Sequence, residues 1–414
     1  MENITTDQPI AKPIIARLPF EILSHILESF ASELNTCSHI SDLAYPNAHF
    51  EKKSISQLNN LRLVCKEWAE FLIPICFRNL VLRDEIDAQS IIDNWSYSVY
   101  APILACSVRS LHVELIYPKP EETSNSEDGI LDFTVVSMEQ VTQLIDLLGQ
   151  DIFELDLNFT YLSGVSQSLL TSISHIKGLK KLSIKQKSQT FSPESCNIRS
   201  LSNLLLACPN LEHLTMDFRN PIPLCLKPQA LPNLKYFYFS ITKENIQCMA
   251  NICETTKKTL KVIAYLLLTE PDEGAEVIFE PIQDRLEGIF AINPGSRRPQ
   301  EVFYIDLPRL CVFQTLRIPS QLWRNVRTLI VDLDVTIRQW EKQKKKIGAK
   351  NWTSSPKLKH LIFIRSDPKS KTTLNEELVN GFKLHGVNCH ITDKFKPDEL
   401  MVSIYRLHLN GFNI

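Results

Sequence analysis

The sequence predicts an α/β chain: a small helical domain, then a curved, solenoid-like stack of coils with parallel strands and irregular repeats. Two patterns carry that expectation. Amphipathic stripes with helical spacing mark the N-terminal region, and a leucine-led strand pattern returns through the rest of the chain. A third observation, the spacing of certain prolines, sets the period of those returns.

The first stripe opens Leu18-Pro19-Phe20-Glu21-Ile22-Leu23. Pro19 suits the first position of a helix, where a missing N–H costs nothing, and Ile22, Leu23, Ile26, Leu27 and Phe30 follow at three-to-four-residue spacing. The second stripe, Leu58, Leu61, Val64, Cys65, Trp68 and Phe71 or Leu72, is expected to stop at Pro74, which lacks the interior N–H. Helices this short bury little, so apolar surface is left for a partner.

The opening Leu-Pro-x-Glu-Ile-Leu and the closing Leu61-Arg62-Leu63-Val64-Cys65-Lys66-Glu67-Trp68 resemble the two ends of the F-box family, in order. The stretch between them, Ser32 to Ser56, is longer than that family usually has and reads as a surface insertion. The expected organisation is a flexible N-terminus over 1–16 and the F-box over 17–82, with the insertion at about 32–56. A connecting helix from about Ala88 to Tyr100, a first strand at Val108 to Leu115 and an acidic loop at Pro118 to Gly129 then fill 83–129.

From 130 to 414 the strand pattern returns seven times, led by Ile152, Leu179, Leu211, Leu234, Leu260, Val326 and Leu358. Prolines two residues before a leucine, Pro209, Pro232, Pro308 and Pro356, stand about 23, 76 and 48 residues apart, near multiples of 24 to 25. Segments between the strands carry helical spacing, as in Ser137 to Leu148, Leu201 to Ala207, Glu244 to Cys253 and Leu374 to Leu384.

This region resembles a degenerate leucine-rich-repeat domain, with an unspecific α/β domain containing a parallel sheet as the competing reading. The position of the regular repeat's asparagine holds Thr160, Lys187, Arg219 and Thr242, so the usual side-chain ladder is expected to be missing, and Phe313 to Pro319 fits no clean register.

Composition narrows function. A net charge of -2 gives no global attraction to nucleic acid or acidic membrane, and no apolar run reaches the roughly 18 to 20 residues that span a bilayer. Together with the lack of a secretory start, this places the expected location in cytoplasm or nucleus. The 11 cysteines are scattered without a C-x-x-C pair and read as small buried hydrophobes. No glycine-rich phosphate loop, metal-ligand spacing or nucleophile elbow is present, and no cofactor or metal is expected. The charge run from Arg338 to Lys346, ending at Lys350, is either a nuclear-import or nucleic-acid patch or the solvated face of a helix.

The resemblance implies a non-catalytic substrate receptor of an SCF-type cullin-RING ubiquitin ligase. Its F-box would dock on the Skp adaptor, and through it on cullin, while the repeat domain holds a protein target. Two alternatives stay open: a structural role in a Skp-containing assembly without ligase activity, and a scaffold that uses the lysine run. The expected adaptor surface is Leu18, Pro19, Ile22, Ile26, Val64, Cys65 and Trp68.

For the target, alternation along the strands places Glu154, Asp156, Asn158, Lys181, Ser183, Lys185, His213, Thr215, Asp217, Tyr236 and Tyr238 on one strand face. Val262, Ala264, Ile330, Ile362 and Ile364 continue that face. The expected contact residues are Lys181, Lys185, His213, Asp217, Tyr236 and Tyr238, with the tyrosines as rigid anchors; the long loops are the competing location.

Overall fold

A computed structural model describes 66–95, 108–117, 135–160, 164–186, 198–218, 230–267, 276–292, 305–315, 324–343, 356–365 and 376–392, with isolated positions elsewhere, among them Ile22, Ile26, Val64 and Leu400. Two short strands, β1 (Thr36–Cys37) and β2 (His49–Phe50), pair antiparallel. The rest is one open, parallel, 13-stranded sheet.

Its strands are β3 (Asn79–Leu82), β4 (Ser110–Tyr117), the short β5 (Val136–Ser137) beside it, β6 (Glu154–Phe159), β7 (Lys181–Gln186), β8 (His213–Asp217) and β9 (Tyr236–Ile241). They continue with β10 (Val262–Leu267), β11 (Gly288–Ile292), β12 (Val312–Thr315), β13 (Thr328–Asp332), β14 (His360–Ile364) and β15 (Asn388–Thr392). Apart from β5, strands follow one another in sequence order, so each coil is hydrogen-bonded to the next, which defines a solenoid.

All seven leucine-led units form strands of this sheet. The expected irregularity around Phe313 does not hold. Val312↔Gly288 and Phe313↔Ile289 on one side, and Val312↔Thr328 and Phe313↔Leu329 on the other, keep β12 in step with both neighbours. The long interval from Pro232 to Pro308 contains two further coils, led by Leu260 and Leu286, so Leu234, Leu260, Leu286 and Leu310 recur roughly every 25 residues. The sheet also reaches N-terminally of residue 130, to Asn79.

The coil starts share one device. Ile152, Leu179, Leu211, Leu234 and Leu310 each donate their N–H to a carbonyl three residues back, closing a turn that aims the next residues into the sheet. These side chains are buried, and with the inward strand residues they form one continuous core from Leu82 to Val387. Complete burial of a leucine contributes about 1.5–3 kcal/mol, so the stack of first leucines alone is a major stabilising term.

Helices cover that face of the sheet. Ser137 opens Met138–Leu148 with a capping box: its hydroxyl accepts from Gln140 N at 3.1 Å, and Gln140 Oε1 accepts from Ser137 N at 3.0 Å. Ser166 caps Gln167–Ser174 with a single bond, its hydroxyl accepting from Leu169 N.

The expected loss of the asparagine ladder is corrected in two places. Thr160 Oγ1 donates to Ile116 O at 3.0 Å, so a threonine links adjacent coils where asparagine was missing. Asn245, fully buried three residues beyond Thr242, donates to Ser240 O at 2.7 Å and Phe218 O at 3.2 Å while accepting from Thr242 N. At the opposite edge asparagines of the turns that precede the strands bridge coils. Asn210 donates to Lys177 O, Asn233 to Pro209 O and Asn325 to Pro308 O.

Two expectations near the N-terminus also change. The second stripe is not one helix: Leu63 N and Val64 N bond back three residues in a turn, and a new helix, Lys66–Cys76, follows. That helix runs through Pro74 rather than stopping there, because Pro74 lies in its last turn, where only one interior bond is lost. The helix expected from Ala88 spans Glu85–Trp95, and the acidic loop at 118–129 lies outside the described residues.

Candidate functional site

The parallel register turns alternation along each strand into rows across the sheet. Glu154, Lys181, His213, Tyr236 and Val262 form one row, and Asp156, Ser183, Thr215, Tyr238 and Ala264 a second. Asn158, Lys185 and Asp217 begin a third. All six expected target contacts therefore lie on one face, opposite the helices, and that face divides into two chemically distinct halves.

The first half is polar and closely bonded. His112 on β4 places Nδ1 at 2.8 Å from Asp156 Oδ2, and Lys185 Nζ donates to the same oxygen at 3.4 Å. With Nδ1–H donating to the carboxylate, His112 Nε2 is left to accept from Asn158 Nδ2 at 3.5 Å. His112, Asp156, Asn158 and Lys185 are all buried.

Burial pushes the Asp156 carboxyl up, but the Lys185 charge and the His112 hydrogen bond more than reverse this, holding it well below the usual carboxylate range. Lys185 is thus engaged inside the network rather than presented to a partner. Farther along, Ser240 donates to Asp217 Oδ1, and the His213 and Tyr236 rings lie 5.3 Å apart at 32°. Lys181 and His213 keep partial exposure.

The second half is apolar and covered. Tyr236, Tyr238, Val262, Ala264, Phe290, Val312, Ile330, Ile362 and Ile364 make a second buried cluster with Leu400, Met401 and Ile404. Pro397, Leu400, Met401 and Ile404 are helical and buried, and their spacing puts them on one helix side. The C-terminal segment therefore folds back onto the strand face. Gly288 marks the contact, since a Cβ there would come within 3.1 Å of Met401 Sδ.

The expectation that Tyr236 and Tyr238 stand open is corrected: they are 4% and 0% exposed. An aliphatic strand face this large is unstable against water, and the chain covers it with its own end. The face ends at a pair of imidazoles, His360 Nδ1 and His390 Nε2, 3.2 Å apart, where burial lowers the pKa of His390.

Of the expected adaptor residues, Leu18, Pro19 and Cys65 lie outside the described residues. Ile22, Ile26 and Val64 are 47%, 48% and 52% exposed. Trp68 is half-buried, and its indole N–H is buried without a hydrogen-bond partner among the described residues. The lysine run begins in the helix Leu333–Gln343, and 344–355 is outside the described residues.

Among the described residues no group of three or more metal-ligating side chains converges, and no helix is long and apolar enough to cross a membrane. The described cysteines are free thiols; burial pushes those of Cys208 and Cys248 up to about 12, so they behave as packing residues. No protein-family model and no curated protein matches this chain.

Sequence reasoning missed His112, Phe290 and the C-terminal cover. Pro397 followed by Leu400, Met401 and Ile404 was the available helix signal, and the run of aliphatic residues on the strand face was the signal that something covers it.

Two outcomes follow from this geometry. Because the folded-state pKa of Asp156 is depressed, its contribution is fully present above the unfolded value near 4 and is lost as pH falls through the folded value. Asp156→Asn should therefore cost about 3 kcal/mol or more at pH 7, with the gap from wild type narrowing below about pH 4 in urea unfolding. A loss independent of pH would contradict the ionised network. Tyr236 and Tyr238 should resist nitration by tetranitromethane in the intact chain and become modified in Leu400→Asp with Ile404→Asp. Unchanged protection in that variant would place the cover elsewhere.

Proposed function

We propose that the chain is a substrate-recognition subunit of an SCF-type ubiquitin ligase, with its N-terminal helical region docking on the Skp adaptor and its solenoid presenting a target protein. The observation that carries this reading is the exposure of Ile22, Ile26 and Val64, none of which belongs to the continuous core of the solenoid. Complete burial of an isoleucine contributes about 1.5–3 kcal/mol, and covering these half-exposed ones would gain a fraction of that each, which favours a partner that covers them. Ile22 and Val64 lie within the two segments that resemble the ends of the F-box, and Ile26 follows the first of them by one helical turn.

In this reading the protein does no bond chemistry. It raises the effective concentration of target lysines near a charged conjugating enzyme, which is catalysis by tethering. The partly exposed polar rows around Lys181, His213 and Asp217 remain available to a target, whereas Tyr236 and Tyr238 take part only if the C-terminal segment leaves.

Ile22→Asp with Ile26→Asp should abolish pull-down of the Skp adaptor while leaving the melting of the solenoid unchanged. Adaptor capture at wild-type strength would contradict the docking surface. Cullin recovered with the tagged wild-type chain supports ligase work; adaptor recovered without cullin supports a structural assembly instead.

A further inference from the structure

The residue that enters each strand forms a row along one edge of the solenoid, and its charges are arranged in two different ways. Through the middle coils each carboxylate of this row is paired with a cation of a neighbouring coil. Lys180 and Lys235 both hold Glu212, at 2.9 Å and 2.6 Å, and their hydrogen bonds pull its carboxyl down to about 2. Lys261 holds Glu287 at 3.0 Å. At β12 this pairing stops, because Cys311 carries no charge and Arg327 and Lys359 follow on the next two coils with no carboxylate between them.

The turns leading into the same coils add Arg309, Arg324 and Lys357. All five cations are exposed, and none has a carboxylate partner among the described residues. Lys357 Nζ bonds only the neutral Asn325 Oδ1, at 2.7 Å, and Asn325 in turn bonds Pro308 O at 2.8 Å, so the turns that carry the cations are tied together. An edge that compensates its charges along five coils and leaves five cations without a carboxylate partner on the next three has built a local positive surface in a chain of net charge -2.

We propose that Arg309, Arg324, Arg327, Lys357 and Lys359 are a docking site for a short anionic stretch of a polypeptide, rich in carboxylates or carrying phosphate. The proposal rests on the receptor reading only for the identity of that polypeptide, the target. The patch spans three coils, about 10 Å at the spacing of adjacent strands, which is the length of three or four extended residues. Guanidinium forks match planar or tetrahedral oxyanions bidentately, and the lysines add charge without demanding geometry. On the preceding coil Asp284 is followed by Arg285 and Glu287 pairs with Lys261, so the run of uncompensated cations begins at Arg309. A nucleic acid strand of uniform charge would run on to coils whose cations are already paired with carboxylates, whereas a short acidic segment matches the length of the patch.

The test is fluorescence anisotropy on the full chain without adaptor, so that a failure of adaptor docking cannot affect it. Three fluorescein-labelled probes are compared at low salt: a peptide with six consecutive glutamates, a neutral peptide carrying two phosphoserines, and a single-stranded oligonucleotide. At least one peptide should bind saturably, and the peptide that binds more tightly identifies carboxylate or phosphate as the preferred group. Arg324→Gln with Arg327→Gln and Lys359→Gln should weaken it roughly tenfold or more. Lys180→Gln with Lys235→Gln and Lys261→Gln, which removes the same charge from paired positions, should change it less than about twofold.

Should the first variant melt early, Arg327→Gln alone with a salt titration of the wild type gives the same comparison. Equal weakening by the two triple variants, no saturable binding of either peptide, or tighter binding of the oligonucleotide at this patch would overturn the proposal.

Discussion

Everything in this molecule depends on each coil adding one parallel strand in register with the last. The first leucine of a coil is buried only because the turn before it closes and the following N–H groups reach the preceding coil, as Glu212 N and His213 N reach Lys180 O. Packing and hydrogen bonding are therefore satisfied by the same neighbour. In such a stack stability is close to a sum of coil and interface terms, and a coil misaligned by one residue would exchange the inward and outward faces of its own strand.

Register also creates the surface that can act. Because rows run straight across the sheet, a change of residue type from strand to strand becomes a change of chemistry along the solenoid. Charged β4, β6 and β7 give the buried His112, Asp156 and Lys185 network, while Ala264, Phe290 and Ile330 give a surface that water would not tolerate. The C-terminal segment resolves the second situation within the chain. What is left for partners is the partly exposed polar rows, the basic edge beyond β12 and the apolar N-terminal helical positions. The buried charge network itself is weak as a source of stability, since desolvation offsets much of its attraction, and its value lies in fixing how the first strands sit against one another.

Much of the fold was legible because a leucine, two residues and an alternating apolar pair carry both the strand and its face. The pattern hid where the strand has little side chain to show, as at Gly288 in β11, or where a polar residue interrupts it, as at Gln314 in β12. Pro74 misled because its effect depends on how many helical residues follow it. Which residues share the target-facing side was readable from period two alone. Their accessibility was not, because burial of Tyr238 is decided by Leu400 and Ile404, about 160 residues away in sequence. The cross-coil bonds of Asn210, Asn233 and Asn245 were likewise invisible, since a side-chain bond between coils requires the register first.

The most direct measurement of that register is disulfide trapping between neighbouring coils. Glu154 and Lys181 are aligned partners on β6 and β7, at a strand spacing that a disulfide can bridge. Glu154→Cys combined with Lys181→Cys should cross-link on mild oxidation, as read by mass spectrometry of the linked peptides, while Glu154→Cys combined with Ser183→Cys, two residues out of step, should not. Equal linkage in the two variants, or linkage only in the second, would contradict the stacking on which the rest of this account stands.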